Sequence, residues 1–414
     1  FDGDTLDKYQ NYNYMVEIDP REAVAIRKQY NWGKQGFEGG VVMPNNQTVY
    51  LGVDATPAFW LKFEADQAGD FTSGTLSAYK QDAPAGQRWV EMDTDNKGYL
   101  TIDAQAVAGG CTMFNRIEWV ALDPATGYVY WTETGRDNPG NAWAGESADG
   151  ATHSDYTLAR ASAQGVDVNS SDYVDYYGRI VKFDPATDES TVLIEGGPDF
   201  AADSVSLADY TAANVTKHLS NPDGLNMMTI GDQSYLVICE DLNGNSHGRM
   251  PMDQTSNRTC ELFLLDLSIE NPTTEDLIRI TSVPFGAEVT GAMPTSDGKS
   301  LLVNSQHPVE DATVNQYPYN NSLTFAIHGF DEIASTTDIR RYFERSENTF
   351  KVFPNPVART LYFDQATDAA IMNLQGQQIR VVRNRNSMDV SDLAAGVYTI
   401  LDLKHNVSRK LIIE

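Results

Sequence analysis

Arg116-Ile117-Glu118-Trp119-Val120-Ala121-Leu122-Asp123-Pro124-Ala125-Thr126-Gly127-Tyr128-Val129-Tyr130-Trp131-Thr132 is the stretch on which the reading of the fold turns. An acid stands in a short apolar run. A tight-turn signature follows, in which Asp bonds its own backbone and Gly supplies positive φ. A run of aromatic and β-branched residues completes a hairpin. The same unit recurs three times. Met43-Pro44-Asn45-Asn46-Gln47 precedes a strand at 48–52, Gly231-Asp232-Gln233 one at 234–238, and Thr295-Ser296-Asp297-Gly298-Lys299 one at 300–304. An acid leads each unit: Glu38, Glu118, Asp223 and Glu288.

Acid, strand, tight turn, strand is the texture of propeller blades. The innermost strand of a blade begins near the central channel, so acids at equivalent positions are expected to converge there. Segments 74–79, 179–183 and 261–265 read as outer blade strands. Residues 136–177 are rich in Gly, Ala, Ser, Asp and Asn and show no periodicity, which predicts a long inserted loop. Residues 331–348 are polar with mixed charge and read as a linker.

The 414 residues carry a net charge of −28. Such a surface repels phosphate backbones and anionic membranes, so nucleic acid is excluded as a partner. No apolar run approaches the ~20 residues of a membrane-spanning helix. Phe1 is not a start residue, so a removed leader or further upstream sequence is expected. Three cysteines, Cys111, Cys239 and Cys260, give no disulfide framework and no zinc spacing. Cys239, in an apolar run, reads as a core thiol, and pairing between Cys239 and Cys260 stays open. Asp93-Thr94-Asp95-Asn96-Lys97-Gly98 is like an EF-hand loop, but Lys97 and Ala104 occupy ligand positions, which predicts a plain turn. Asp241-Leu242-Asn243-Gly244-Asn245 is a weak surface calcium candidate.

From residue 349 the texture changes. Phe350-Lys351-Val352-Phe353-Pro354-Asn355-Pro356-Val357 opens the segment, Asn373-Leu374-Gln375-Gly376 and Ala394-Ala395-Gly396-Val397-Tyr398 punctuate it, and Arg409-Lys410-Leu411-Ile412-Ile413-Glu414 ends it. Strands broken by such turns describe a small β-sandwich. This order of motifs closely resembles the type A C-terminal sorting domain of the type IX secretion system. The resemblance implies export to the outer-membrane surface or medium and recognition by the secretion machinery through residues 349–414.

The larger part also resembles a family, the PhoX-type alkaline phosphatases, over about residues 10–310. The resemblance runs through Phe37-Glu38-Gly39-Gly40, Asn115-Arg116-Ile117-Glu118-Trp119, Asn221-Pro222-Asp223-Gly224-Leu225, Gly286-Ala287-Glu288-Val289-Thr290-Gly291 and Val303-Asn304-Ser305-Gln306-His307-Pro308. It implies a propeller, six-bladed when complete, with a Ca²⁺ and Fe³⁺ cluster that hydrolyses phosphomonoesters. The expected architecture is therefore all-β: a propeller over 1–330, a linker over 331–348 and a sandwich over 349–414.

A lone acid at a strand end usually caps a turn or faces solvent. Recurrence at equivalent blade positions turns that reading toward ligands. Carboxylates suit hard, oxygen-seeking cations, which neutralise the charge of a phosphate under attack. The candidate metal ligands are Glu38, Glu118 and Glu288, then Asp223, Glu240 and Asp241. Glu38 and Glu288 are the candidate catalytic acids, with Thr290 and His307 positioning phosphate or a ligand. Two departures stand out. The family carries a cysteine iron ligand ahead of the region matching residues 37–40, and no cysteine precedes Phe37 here. It also carries an arginine two positions before the glutamate matching Glu288, where this chain has Gly286. Either an upstream segment completes the cluster, or the chain is a non-catalytic, calcium-stabilised scaffold at the cell surface, where self-association stays open.

Overall fold

The computed structural model describes residues 10–135, 152–197, 219–241, 259–330 and 350–414, apart from Asn96, Ser171, Val174, Tyr176, 374–376 and 405–406. The expected linker and residues 242–245 lie outside these. The chain divides into two compact units, Phe1–Phe330 and Asp331–Glu414.

In the first unit a hairpin, β1 (Val16–Asp19) and β2 (Val24–Lys28), precedes a five-stranded antiparallel sheet. That sheet runs β3 (Phe37–Val42), β4 (Thr48–Val53), β5 (Leu61–Gln67), β6 (Asp70–Tyr79) and β7 (Trp89–Glu91) in sequence order. Helix α1 (Ile102–Ala108) and the short β8 (Thr112–Met113) lead into the second sheet. Its strands are β9 (Ile117–Leu122), β10 (Val129–Glu133), β12 (Arg179–Asp184) and β13 (Glu189–Glu195). Between β10 and β12 lie β11 (Thr152–His153), parallel to β8, and helix α2 (Asp155–Gln164). The third sheet is β14 (Pro222–Ile230), β15 (Gln233–Glu240), β16 (Glu261–Asp266) and β17 (Ile278–Ser282). The fourth is β18 (Glu288–Pro294), β19 (Ser300–Gln306) and β20 (Leu323–His328).

Each first strand packs on the next sheet's first strand, β3 on β9, β9 on β14 and β14 on β18, so the sheets are successive blades of a propeller. The hairpin turns behave as their residues dictate. Each holds one left-handed residue, at Asn46, Gly127, Gly231 and Gly298. Asp123 accepts from the Ala125 amide and the Thr126 hydroxyl, and Asn45 from the Gln47 and Thr48 amides.

Strand alternation fills the layers between blades. In β10, Val129 and Trp131 pack toward the first blade, with Trp60 and Phe183, while Tyr130 joins Leu225, Leu236 and Ile238 of the third. Burial on both faces explains why β10 opens on the unbroken apolar and aromatic run Val129-Tyr130-Trp131.

One expectation needs correction. The stretch 136–177 is not a loop throughout, because α2 forms within it. Ser154 caps α2 by accepting from the Thr157 amide, left-handed Gly165 ends it, and Thr157 and Ala161 are buried. The caps were legible, but a ten-residue helix with so small an apolar face gives almost no periodic signal. The question left open for Cys239 and Cys260 is answered against pairing, since all three thiols are free and buried. The described residues of the EF-hand-like stretch are those of a turn, with Asp93 accepting from the Asp95 amide and Lys97 left-handed.

The second unit is one strongly bent sheet. β22 (Thr360–Met372) pairs with β21 (Val352–Phe353) at its start, β24 (Gly396–Asp402) at its end and β23 (Gln378–Asp389) along its length. β25 (Val407–Ile413) extends from β24 and returns through a bridge between Val357 and Ile413. The sheet thereby closes over a core of Phe350, Leu361, Phe363, Ile371, Ile400 and Leu411.

Candidate metal centre at the inner strand ends

Three of the four leading acids sit at irregularities in the pairing of their strands. Phe37 pairs with Val53 and Gly39 with Gly52, so Glu38 is an extra residue. Glu118 and Trp119 together face Thr132, and Asp223 and Gly224 together face Cys239. A bulge of this kind bends the strand and re-aims a side chain. Glu288 begins β18 opposite Gln306 without one.

The result is two groups of carboxylates. Glu38, Asp54 and Glu118 each bring an oxygen within 4.8 Å of the others, and so do Asp223, Asp241 and Glu288. Glu118 is 1% exposed, Asp54 is half-buried and Glu38 reaches solvent. The second group is half-buried throughout. Arg116 ties the first group together. Its Nε lies 2.8 Å from Asp54 Oδ1 and its Nη2 2.9 Å from Glu118 Oε1.

Two threonines join this group to the next blade. The Thr134 hydroxyl donates to Glu118 Oε1 at 2.9 Å and also lies 3.2 Å from the Pro222 carbonyl. The Thr132 hydroxyl donates to the Asp223 carbonyl at 2.6 Å, and its oxygen accepts from the Trp119 amide.

The electrostatics are those of acids crowded beyond what water would allow. Burial, then the charge of Asp223, pushes the Glu118 carboxyl up to about 9 despite Arg116. Burial and the charges of Asp241, Glu288 and Glu38 hold Asp223 well above the ordinary carboxylate range. Glu38 is raised by burial and by Asp54, against Arg116. Burial works against the Arg116 charge, yet Glu118, Asp54 and Asp241 hold its guanidinium more firmly protonated than usual. Six facing carboxylates with one arginine are an all-oxygen donor set with surplus negative charge, which fits hard cations such as Ca²⁺.

Of the residues singled out from the sequence, Glu38, Glu118, Asp223, Asp241 and Glu288 enter these groups. Glu240 does not. Its two oxygens accept from the Ser220 and Glu261 amides, clamping the start of β14 to β16. Glu133, in the same register position of β10, accepts likewise from the Asn115 amide. Thr290 lies on the Glu288 face of β18, two residues on, and His307 is exposed just past β19 with φ 54°. His307 joins neither carboxylate group.

Sequence reading missed Asp54 and Arg116. Asp54 directly follows β4 as Asp241 directly follows β15, a parallel that was legible. Arg116 stands two residues before Glu118, the spacing sought in vain before Glu288.

Comparison with known proteins decides the family. The family described as alkaline phosphatase PhoX matches residues 1–309. The chain belongs to that family. The solved structure of Pseudomonas fluorescens PhoX, in complex with vanadate, a transition state analogue, is similar with a TM-score of 0.55 at 21% identity. The likeness covers 78% of this chain and 58% of that one, and what it shows is the shared propeller fold. Strictosidine synthase of Catharanthus roseus is 27% identical over 177 residues, 37% of this chain and 43% of that protein. This PhoX-family chain therefore spans little more than half of the PhoX structure and less than half of the curated relative. The secretion system C-terminal sorting domain matches residues 351–414. The protein is thus exported, to the cell surface or the medium. Among the described residues no helix is long and apolar enough to cross a membrane.

Proposed function

We propose that this protein is an exported phosphomonoester hydrolase that works with hard cations, Ca²⁺ first and Fe³⁺ with it. The observation that carries the reading is the pair of three-carboxylate groups in a PhoX-family propeller, with Arg116 paired to two acids of the first and feeling the charge of Asp241 in the second. Glu38, Asp54 and Glu118 would hold one part of the cluster and Asp223, Asp241 and Glu288 the other. Cations bound there supply neutralising charge for a phosphate under attack.

The chain's own residues do the rest. Burial of Glu118 and Asp223 fixes the carboxylates in place before substrate arrives. Arg116 offers the planar guanidinium missing before Glu288, suited to a phosphate oxygen once cations compete for its acids. Thr290 and His307 remain candidates for positioning the phosphate.

Hydrolysis of p-nitrophenyl phosphate at alkaline pH tests the reading. Chelation should abolish activity. Glu288→Gln and Glu38→Gln should each lower it by about 100-fold or more, because the amide keeps the shape and loses the charge. Hydrolysis indifferent to chelator and to both substitutions would remove the assignment. Calcium bound without any hydrolysis would favour the scaffold.

A further inference from the structure

Gly39 and Gly52 are cross-strand partners in β3 and β4. Gly39 immediately follows Glu38, and Gly52 stands two residues before Asp54. Neither φ is left-handed, so backbone conformation does not demand glycine at either place. Space does. A Cβ on Gly39 would lie 2.6 Å from the Glu118 carbonyl oxygen, 2.7 Å from the Val120 nitrogen and 2.8 Å from the Trp119 Cα. A Cβ on Gly52 would lie 2.7 Å from Ile117 Cγ2 and 3.0 Å from the same Glu118 carbonyl oxygen. The Glu118 peptide is therefore seated in a window cut by two paired glycines in the neighbouring blade.

We propose that this glycine pair is a positioning notch. It sets how closely blade two approaches blade one, and so the spacing of the Glu38, Asp54 and Glu118 carboxylates and the size of cation they accept. The proposal rests on the cation-binding reading above. Backbone atoms cannot swing aside as a side-chain tip can, so an added methyl at residue 39 must push β9 away. Glu118 moves with it, while Glu38 and Asp54 stay with blade one. A wider oxygen cage favours a larger ion, because selectivity among hard cations follows cavity size. Gly52→Ala is the milder variant, since its nearest obstacle is a methyl group.

The test compares Ca²⁺ and Sr²⁺ affinities by calorimetry on the whole chain. Gly74→Ala is the control, because its Cβ would meet the Glu64 carbonyl at 2.3 Å within β5 and β6, away from the acids. It loses stability from crowding without touching the groups. Gly39→Ala and Gly52→Ala should each shift the Ca²⁺ to Sr²⁺ affinity ratio toward Sr²⁺, by about tenfold for the variant that clashes with backbone. Gly74→Ala should leave the ratio unchanged although its melting temperature falls. If Gly39→Ala does not fold, Gly52→Ala decides alone. An unchanged ratio in the folded variants, or an equal shift in the control, overturns the notch while leaving the cation site standing. A wild-type chain that binds neither ion overturns both.

Discussion

Glu118 carries the sharpest electrostatic consequence. Its carboxyl is raised from 4.5 to about 9 by burial and by Asp223. Below the ordinary carboxyl range it is protonated whether the chain is folded or not, and the fold loses nothing. As pH rises, the unfolded chain releases the proton first, so stability drains away until the folded group ionises near 9. In EGTA the melting temperature should therefore fall between about pH 5 and pH 9. Glu118→Gln should make that slope shallower, and Asp223, shifted in the same direction, should account for part of what remains. Saturating Ca²⁺ should flatten the slope in the wild type and raise the transition, by about 2.7 kcal/mol per site at 100 times the Kd. A slope equally steep in Glu118→Gln would deny the acid this role.

β10 shows how a blade strand is held. Trp131 stacks on Trp60 at 4.5 Å between centroids and meets Phe114 edge-on at 5.6 Å. Trp60 in turn stacks on Tyr50 at 5.5 Å. Trp131→Ala should destabilise the first unit by about 3–5 kcal/mol in denaturant unfolding, from lost burial and the cavity left behind. The Trp131 indole Nε1 is buried with no hydrogen-bond partner. Trp131→Phe should therefore cost much less than Ala, since it keeps a ring and removes an unsatisfied donor. Equal losses for Phe and Ala would show that stacking is not what the strand depends on. The next strand-end position is a different device. Thr134, fully buried, holds Glu118 and reaches the Pro222 carbonyl, so an element that looks purely structural also aims an acid.

The whole molecule carries its charge unevenly along the chain. In 350–414 basic residues outnumber acidic ones, so the net charge of −28 lies on the rest of the chain. The tail has its own buried core, and it matches the sorting domain over nearly its full length. Deleting residues 349–414 should leave a folded, cation-binding propeller that stays in the periplasm. Fractionation with a chelator-sensitive melting assay on the retained protein checks both halves of that statement. Normal delivery of the truncated chain to the surface would refute the role of the tail.

The hairpins were legible because their causes are local. Asn46, Gly127, Gly231 and Gly298 take left-handed conformations, and each is named by the turn residues around it. The acids Glu38, Glu118, Asp223 and Glu288 were legible for the same reason, since each precedes its turn at an equivalent place in the unit. Glu240 and Asp241 are neighbours that sequence alone could not separate. Strand pairing turns Glu240 to the Ser220 and Glu261 amides and Asp241 to the carboxylate group. Arg116 gained its meaning only when blade packing brought Asp54, 62 residues away in the chain, to its guanidinium. Turn chemistry is written in adjacent residues, whereas the distance between carboxylates of different blades is set by bulges and by how closely one backbone can approach another.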